Sequence, residues 1–94
     1  MKITVRFFTV LRELTGKKEE KLEFSSSVTI NELLDYLSKK YGRQFTEYIY
    51  NASGKPRGYL QFLVNGKSIT TLQDFKTRLK EGDKVAIIPP VGGG

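Results

Sequence analysis

The residues best placed to do chemistry stand at the end of the chain, where Ile87-Ile88-Pro89-Pro90 passes into Val91-Gly92-Gly93-Gly94. Prolines fix φ and donate no backbone hydrogen bond, so the pair ends a strand and directs the remaining residues away from the body of the fold. Four residues beyond Pro90 reach roughly 13–14 Å at about 3.3–3.6 Å each, enough to enter another protein's cleft. Glycines lack Cβ, so such a backbone threads a narrow channel and offers the Gly94 carboxylate unhindered. That carboxylate is the candidate reactive group. With an ordinary pKa of about 3.3–3.7 it is ionised at neutral pH and is a poor electrophile until activated, for instance as an acyl-adenylate. The glycines lie at the chain end with no following helix or lysine, so they are not a phosphate-cradling loop. An ATP site therefore belongs to a partner.

Other chemistry is largely excluded by composition. The 94 residues contain no cysteine and no histidine. This removes the commonest general base, the commonest metal ligand and the most easily activated nucleophile. No active site of the chain's own, no metal site and no bound cofactor are expected. Sixteen basic residues against ten acidic ones give a net charge of +6, spread along the chain, which favours acidic partners. No zinc-finger spacing, recognition helix or RNA-binding aromatic stretch accompanies that charge, so nucleic acid is not expected as a partner. The apolar run from Val85 to Val91 is far shorter than the roughly 20 residues that span a bilayer. The charged Lys17 to Glu20 follows the apolar start directly, unlike a secretory leader. The expectation is a cytoplasmic protein with no membrane association.

The elements that must carry this chain end are legible from periodicity. Lys2 to Phe8 alternates, with Ile3, Val5 and Phe7 facing inward and Phe8 outward. A helical turn from Thr9 carries Val10, Leu11 and Leu14, and Gly16 closes it. Lys17 to Glu20 is expected as a turn into a second strand at Lys21 to Phe24, with Leu22 and Phe24 inward. Thr29 and Glu32 have capping-box spacing, and a helix over about 29–41 puts Ile30, Leu33, Leu34, Leu37 and Tyr41 on one face. Gly42 ends it. Phe45, Tyr48 and Ile49 have weak helical spacing, and 51–58 is rich in turn formers. A strand from Tyr59 carries Leu60, Phe62 and Val64 inward to Asn65-Gly66, a hairpin turn. Lys67 to Ile69 returns, and Leu72, Phe75 and Leu79 pack an irregular or helical crossover. Lys84 to Ile88 is the last strand. This order gives an α+β fold with a mixed sheet. Residues 1–90 form one domain, and 91–94 a flexible tail.

Ordering four tail residues in a partner costs roughly 4–8 kcal/mol. At about 25 cal/mol per Å² this is offset by roughly 160–320 Å² of buried apolar surface, so a docking patch is expected near the tail. Phe8 and Ile88, on the outward sheet face, are the docking candidates, with Val91, Gly92 and Gly93 threading into the partner. Terminal glycines are also commonly passive, exposed apolar residues are ordinary, and an arginine placed like Arg12 is more often solvated or locally paired than a contact residue.

Val5-Arg6-Phe7-Phe8 through Leu11-Arg12-Glu13-Leu14-Thr15-Gly16, with Val64-Asn65-Gly66, Glu81-Gly82-Asp83-Lys84-Val85 and Ile88-Pro89-Pro90-Val91-Gly92-Gly93-Gly94, resembles the small, sulfur-carrying subunit of molybdopterin synthase, the MoaD family. The resemblance spans nearly the whole chain. It implies a ubiquitin-like β-grasp, with one main helix packed across the sheet and a protruding C-terminal tail. It also implies a cycle in which an E1-like adenylating enzyme, supplying ATP and magnesium, activates Gly94, and a sulfur donor converts it to a thiocarboxylate. The large subunit of molybdopterin synthase then receives the tail, and the sulfur goes into the dithiolene of molybdopterin for the molybdenum cofactor. Gly93 corresponds to the second glycine of the family's terminal pair, and Phe8 and Ile88 to partner-contacting positions. Gly92 makes a third glycine where a small residue such as alanine is usual, and Ile88 replaces a common aromatic. The loop from Arg43 to Gly58 is longer than in the shortest relatives.

Two other readings stand beside this one. A ubiquitin-like modifier, or a carrier for transfer RNA thiolation, uses the same activated Gly94. A basic binding module leaves the tail passive and binds through charge, with steep salt dependence.

Overall fold

The computed structural model describes residues 1–90. Period-2 alternation in β1 (Lys2–Phe7) buries Ile3, Val5 and Phe7 and leaves Lys2 and Arg6 in water. A short helix, α1 (Val10–Thr15), comes next, and Gly16 ends it in the left-handed region at φ 75°. After it stand β2 (Glu19–Glu23), α2 (Ile30–Tyr41) and α3 (Arg43–Ile49). The chain finishes with β3 (Gln61–Val64), β4 (Lys67–Ser68), two 3₁₀ turns at Ile69–Thr71 and Asp74–Lys76, and β5 (Lys84–Ile88).

The sheet order is β2-β1-β5-β3-β4. β5 runs parallel to β1, with Phe7 opposite Ile87, and antiparallel to β3, with Ile87 opposite Phe62. The last strand is thus clasped on both sides. One face of the sheet is covered by α2 through Ile30, Leu33, Leu34 and Leu37, all buried. The expected capping box starts that helix: the Glu32 amide donates to Thr29 Oγ1 at 3.2 Å, and the Thr29 amide donates to Glu32 Oε1 at 2.8 Å. The Asn65-Gly66 hairpin also forms as expected, both residues having positive φ, 51° and 84°.

The weak helical spacing of Phe45, Tyr48 and Ile49 is realised as α3, whose Phe45 packs edge-on to the Phe7 ring, with centroids 6.3 Å apart. Two local expectations are corrected. Lys67 to Ile69 is not all strand, because Ile69 turns into the 3₁₀ segment and buries itself there. The second concerns Lys17 to Glu20. Glu19 and Glu20 belong to β2, so the turn is shorter than expected, and Glu20 is buried.

Glu20 survives burial because its carboxylate accepts from the Lys40 ammonium, the Tyr41 hydroxyl and, at 3.3 Å, the Lys17 ammonium. Burial pushes this carboxyl up, but those three donors outweigh it and hold the pKa below the ordinary 4.5. Desolvation and the bond to Glu20 both push the Tyr41 hydroxyl upward, keeping it protonated as a donor. A depressed carboxyl pKa stabilises the fold above the unfolded-state value, and that contribution is lost as pH falls through the folded-state value. Glu20→Gln therefore lowers unfolding free energy at neutral pH by about 1–3 kcal/mol. The gap narrows on acidification below about 4.5. Denaturant midpoints across this range check it; parallel curves for the two proteins would exclude the assigned role.

Candidate functional site

Among the described residues no helix covers the sheet face opposite α2, and the register writes its contents row by row. One row runs Glu19, Arg6, Ala86, Leu63 and Ser68 across all five strands. The row above contains Ile88 opposite Gln61, and Phe8 stands one position past the Phe7–Ile87 pair at the same end. Ala86, Ile88, Leu63 and Phe8 are each half-buried. An apolar patch thus occupies the tail-bearing end of this face, as the docking argument expects.

Phe8 does not lie within β1. It comes directly after the last strand residue, at a joint where Thr9 takes φ 47°, ψ −119°. For a β-branched residue this region costs on the order of 1–3 kcal/mol. The joint is held because the Leu11 amide donates to the Phe8 carbonyl at 3.0 Å and the Arg12 amide to the Thr9 carbonyl at 2.9 Å. The Phe8 ring lies between two guanidiniums, Arg6 at 5.5 Å and Arg12 at 5.6 Å from its centroid. Arg12 Nε also donates to the Phe7 carbonyl at 3.0 Å, which fixes the fork beside the ring. Each cation–π contact adds about 0.5–1 kcal/mol at an exposed site. The ring is thereby presented in one orientation with a positive rim. An acidic or carbonyl-rich border around an apolar pocket complements such a surface.

Sequence reasoning named Phe8 and Ile88 but not Arg6, and it read Arg12 as a solvated or locally paired arginine, which is how it stands, exposed and bonded to the Phe7 carbonyl. The signal for Arg6 was present: it shares the outward phase with Phe8, two residues on. Arg12 needed the fold, because only the tight joint at Thr9 swings α1 back over the strand end.

At the far side of the patch, Ile88 ends β5 and Pro89 continues its alternation into a buried position. The diproline is thus seated in the fold, and the chain is handed on at Pro90 from the middle of the sheet. Val91, Gly92, Gly93 and Gly94 lie outside the described residues. Among the described residues no group of three His, Cys, Asp or Glu side chains is arranged to hold a metal ion. Among the described residues no helix is long and apolar enough to cross a membrane.

Residues 5–94 match the ThiS family. Small archaeal modifier protein 3 of Haloferax volcanii is 31% identical over 94 residues, covering all of both chains. The molybdopterin synthase sulfur carrier subunit of Drosophila melanogaster is 35% identical over 92 residues, 98% of this chain and 90% of that one. The solution structure of small archaeal modifier protein 1 from Methanosarcina acetivorans superposes with a TM-score of 0.82 at 30% identity, covering 99% of this chain and 96% of that one. With the strand order above, this gives the ubiquitin-like β-grasp that the resemblance implied.

Proposed function

The chain belongs to the ThiS family, and on that footing we propose that it is a cytoplasmic sulfur carrier whose Gly94 carboxylate is the loaded group. The observation that carries this reading is the position of β5. It is clasped between β1 and β3 and ends in the diproline beside the half-exposed patch of Phe8, Ile88, Ala86 and Leu63.

The chemistry is dictated by the inertness of a carboxylate. A Gly94 oxygen attacks the α-phosphorus of ATP on an E1-like adenylating enzyme, with magnesium balancing the phosphate charge, and pyrophosphate leaves. A sulfur donor then attacks the acyl carbon and AMP leaves. When the donor is a persulfide, this forms an acyl disulfide. A second thiol then attacks the donor's own sulfur, breaking the S–S bond so that the donor leaves as a mixed disulfide and the chain carries a thiocarboxylate. The large subunit of molybdopterin synthase is the proposed receiver, taking sulfur for the dithiolene of molybdopterin, and the sulfur carrier subunit of Drosophila supports that choice. This chain contributes the nucleophilic sulfur, the threading backbone from Val91 to Gly93, and docking through Phe8 and Ile88. With neither histidine nor cysteine, it lacks the commonest general base and the most easily activated nucleophile.

The test is mass spectrometry of the intact chain after incubation with the activating enzyme, ATP, magnesium and a sulfur donor. The expected product has gained the difference between one sulfur and one oxygen, located at the C-terminal peptide. An unaltered carboxylate, under conditions where the enzyme activates a known substrate, rejects the proposal.

A second reading has a specific support, the full-length similarity to a protein named as a modifier. A modifier uses the same adenylate but passes the acyl group to a lysine amine, forming an isopeptide bond. Affinity recovery from a denatured cell extract separates the two: covalent adducts identify a modifier, and the free chain alone a dedicated carrier.

A further inference from the structure

A second surface lies at the other end of β5. An open groove of about 610 Å³ runs between the Asn65-Gly66 hairpin and the crossover that leads into β5. Three cations line it, Lys67, Arg78 and Lys80, against a single carboxylate, Asp83. Asp83 is committed elsewhere: Oδ1 accepts from the Asn65 side-chain amide at 2.9 Å and Oδ2 from the Lys80 backbone amide at 2.8 Å. Among the described residues none of the three cations stands in an ion pair. Arg78 Nη1 makes one long, exposed hydrogen bond, to the Ser27 carbonyl at 3.4 Å, which leaves its charge available to an occupant of the groove. Between these charges the groove offers Leu72, one of the few large apolar side chains the fold leaves exposed, at 40%.

We propose that this groove docks an acidic segment of a partner protein, with one apolar side chain seated on Leu72 and carboxylates facing Lys67, Arg78 and Lys80. The charge arithmetic selects an anionic occupant, and Leu72 selects a peptide over a nucleic acid, because no aromatic ring lines the groove to stack a base. Val64 and Val85 pair at the groove end of the sheet, and Gln61 and Ile88 at the tail end. Three residues of strand, about 10 Å, separate them. A partner held in the groove leaves the Pro89-Pro90 end open, so one protein can hold the carrier while another works on its terminus.

The experiment uses the full chain and a labelled acidic peptide carrying one leucine between paired aspartates. Its controls are the same peptide with serine for leucine and a short single-stranded oligonucleotide. The leucine peptide should bind most tightly, weaken with salt, and shift the amide resonances of residues around 65–67, 72 and 78–80. Reversing two charges together, Lys67→Glu with Arg78→Glu, should weaken it roughly tenfold, since like charges then face each other. Leu72→Ser should erase the preference over the serine peptide. Equal binding of both peptides to the unaltered chain, tighter binding of the oligonucleotide, or shifts confined to Arg6, Phe8 and Arg12 would each overturn the proposal. The resonance map needs no variant, so a misfolded mutant does not rescue it.

Discussion

Deleting Gly94 leaves the fold intact and stops sulfur loading. The core is built from residues 3–87, and β5 ends at Ile88, so the thermal midpoint should stay where it is. The shortened chain still ends in a glycine carboxylate, but that carboxylate sits one residue short, about 3.3–3.6 Å from where the activating enzyme expects it. A displacement of roughly 1 Å at a reacting centre already costs about a hundredfold in rate. Loss of one whole residue should slow adenylate-dependent loading by at least that factor. Time-resolved mass spectrometry of the two chains reads the ratio directly. Loading of the shortened chain within a few-fold of the full one would show that tail length is not sensed, and Gly94 would lose its assigned role.

The second large effect is on docking. Phe8→Ala removes the ring held between Arg6 and Arg12 at the base of the tail. Central aromatic anchors typically contribute about 2 kcal/mol or more, so affinity for the activating enzyme should fall roughly 30-fold. Stability should fall by no more than about 1–2 kcal/mol, the sum of the two lost cation–π contacts, since the ring is half in solvent and outside the buried cluster. Tyr36→Ala supplies the comparison: it truncates a more exposed ring on α2, across the sheet, which contacts Phe24. Titration calorimetry or a competition assay should find that variant near the parent affinity. If both variants bind alike, the patch around Phe8 is not the docking surface.

The fold was legible wherever one physical signal dominated. Alternation placed Ile3, Val5 and Phe7 inside, the capping box placed the start of α2, and Asn65-Gly66 placed the hairpin. Reading failed where a partner in space, and not the local pattern, decided the outcome. Glu20 looks like a turn residue until Lys17, Lys40 and Tyr41 are brought around it, from up to 21 positions away. The helix at Phe45 was legible, though only weakly, and the rings of Phe7 and Tyr41 that cover it were not. At the candidate site, Phe8 and Ile88 were visible as outward apolar residues beside the diproline. Their phase also suggested one shared surface, but the strand pairing that makes it so was not legible: the parallel pairing of β1 with β5 brings positions 8 and 88 to one end of the sheet.

That pairing also governs when the protein can exist during its own synthesis. The central ladder joins Thr4 to Lys84, so the first strand made must wait for the last before the middle of the sheet can close. Contacts of such wide separation are slow to form and leave unpaired strand edges exposed meanwhile. A ribosome holds the newest stretch of polypeptide in its exit tunnel, so β5 pairs only after residues 84–88 have cleared it. The sheet closes at that moment, and a prematurely terminated product lacking those residues is left with β1 and β3 unjoined.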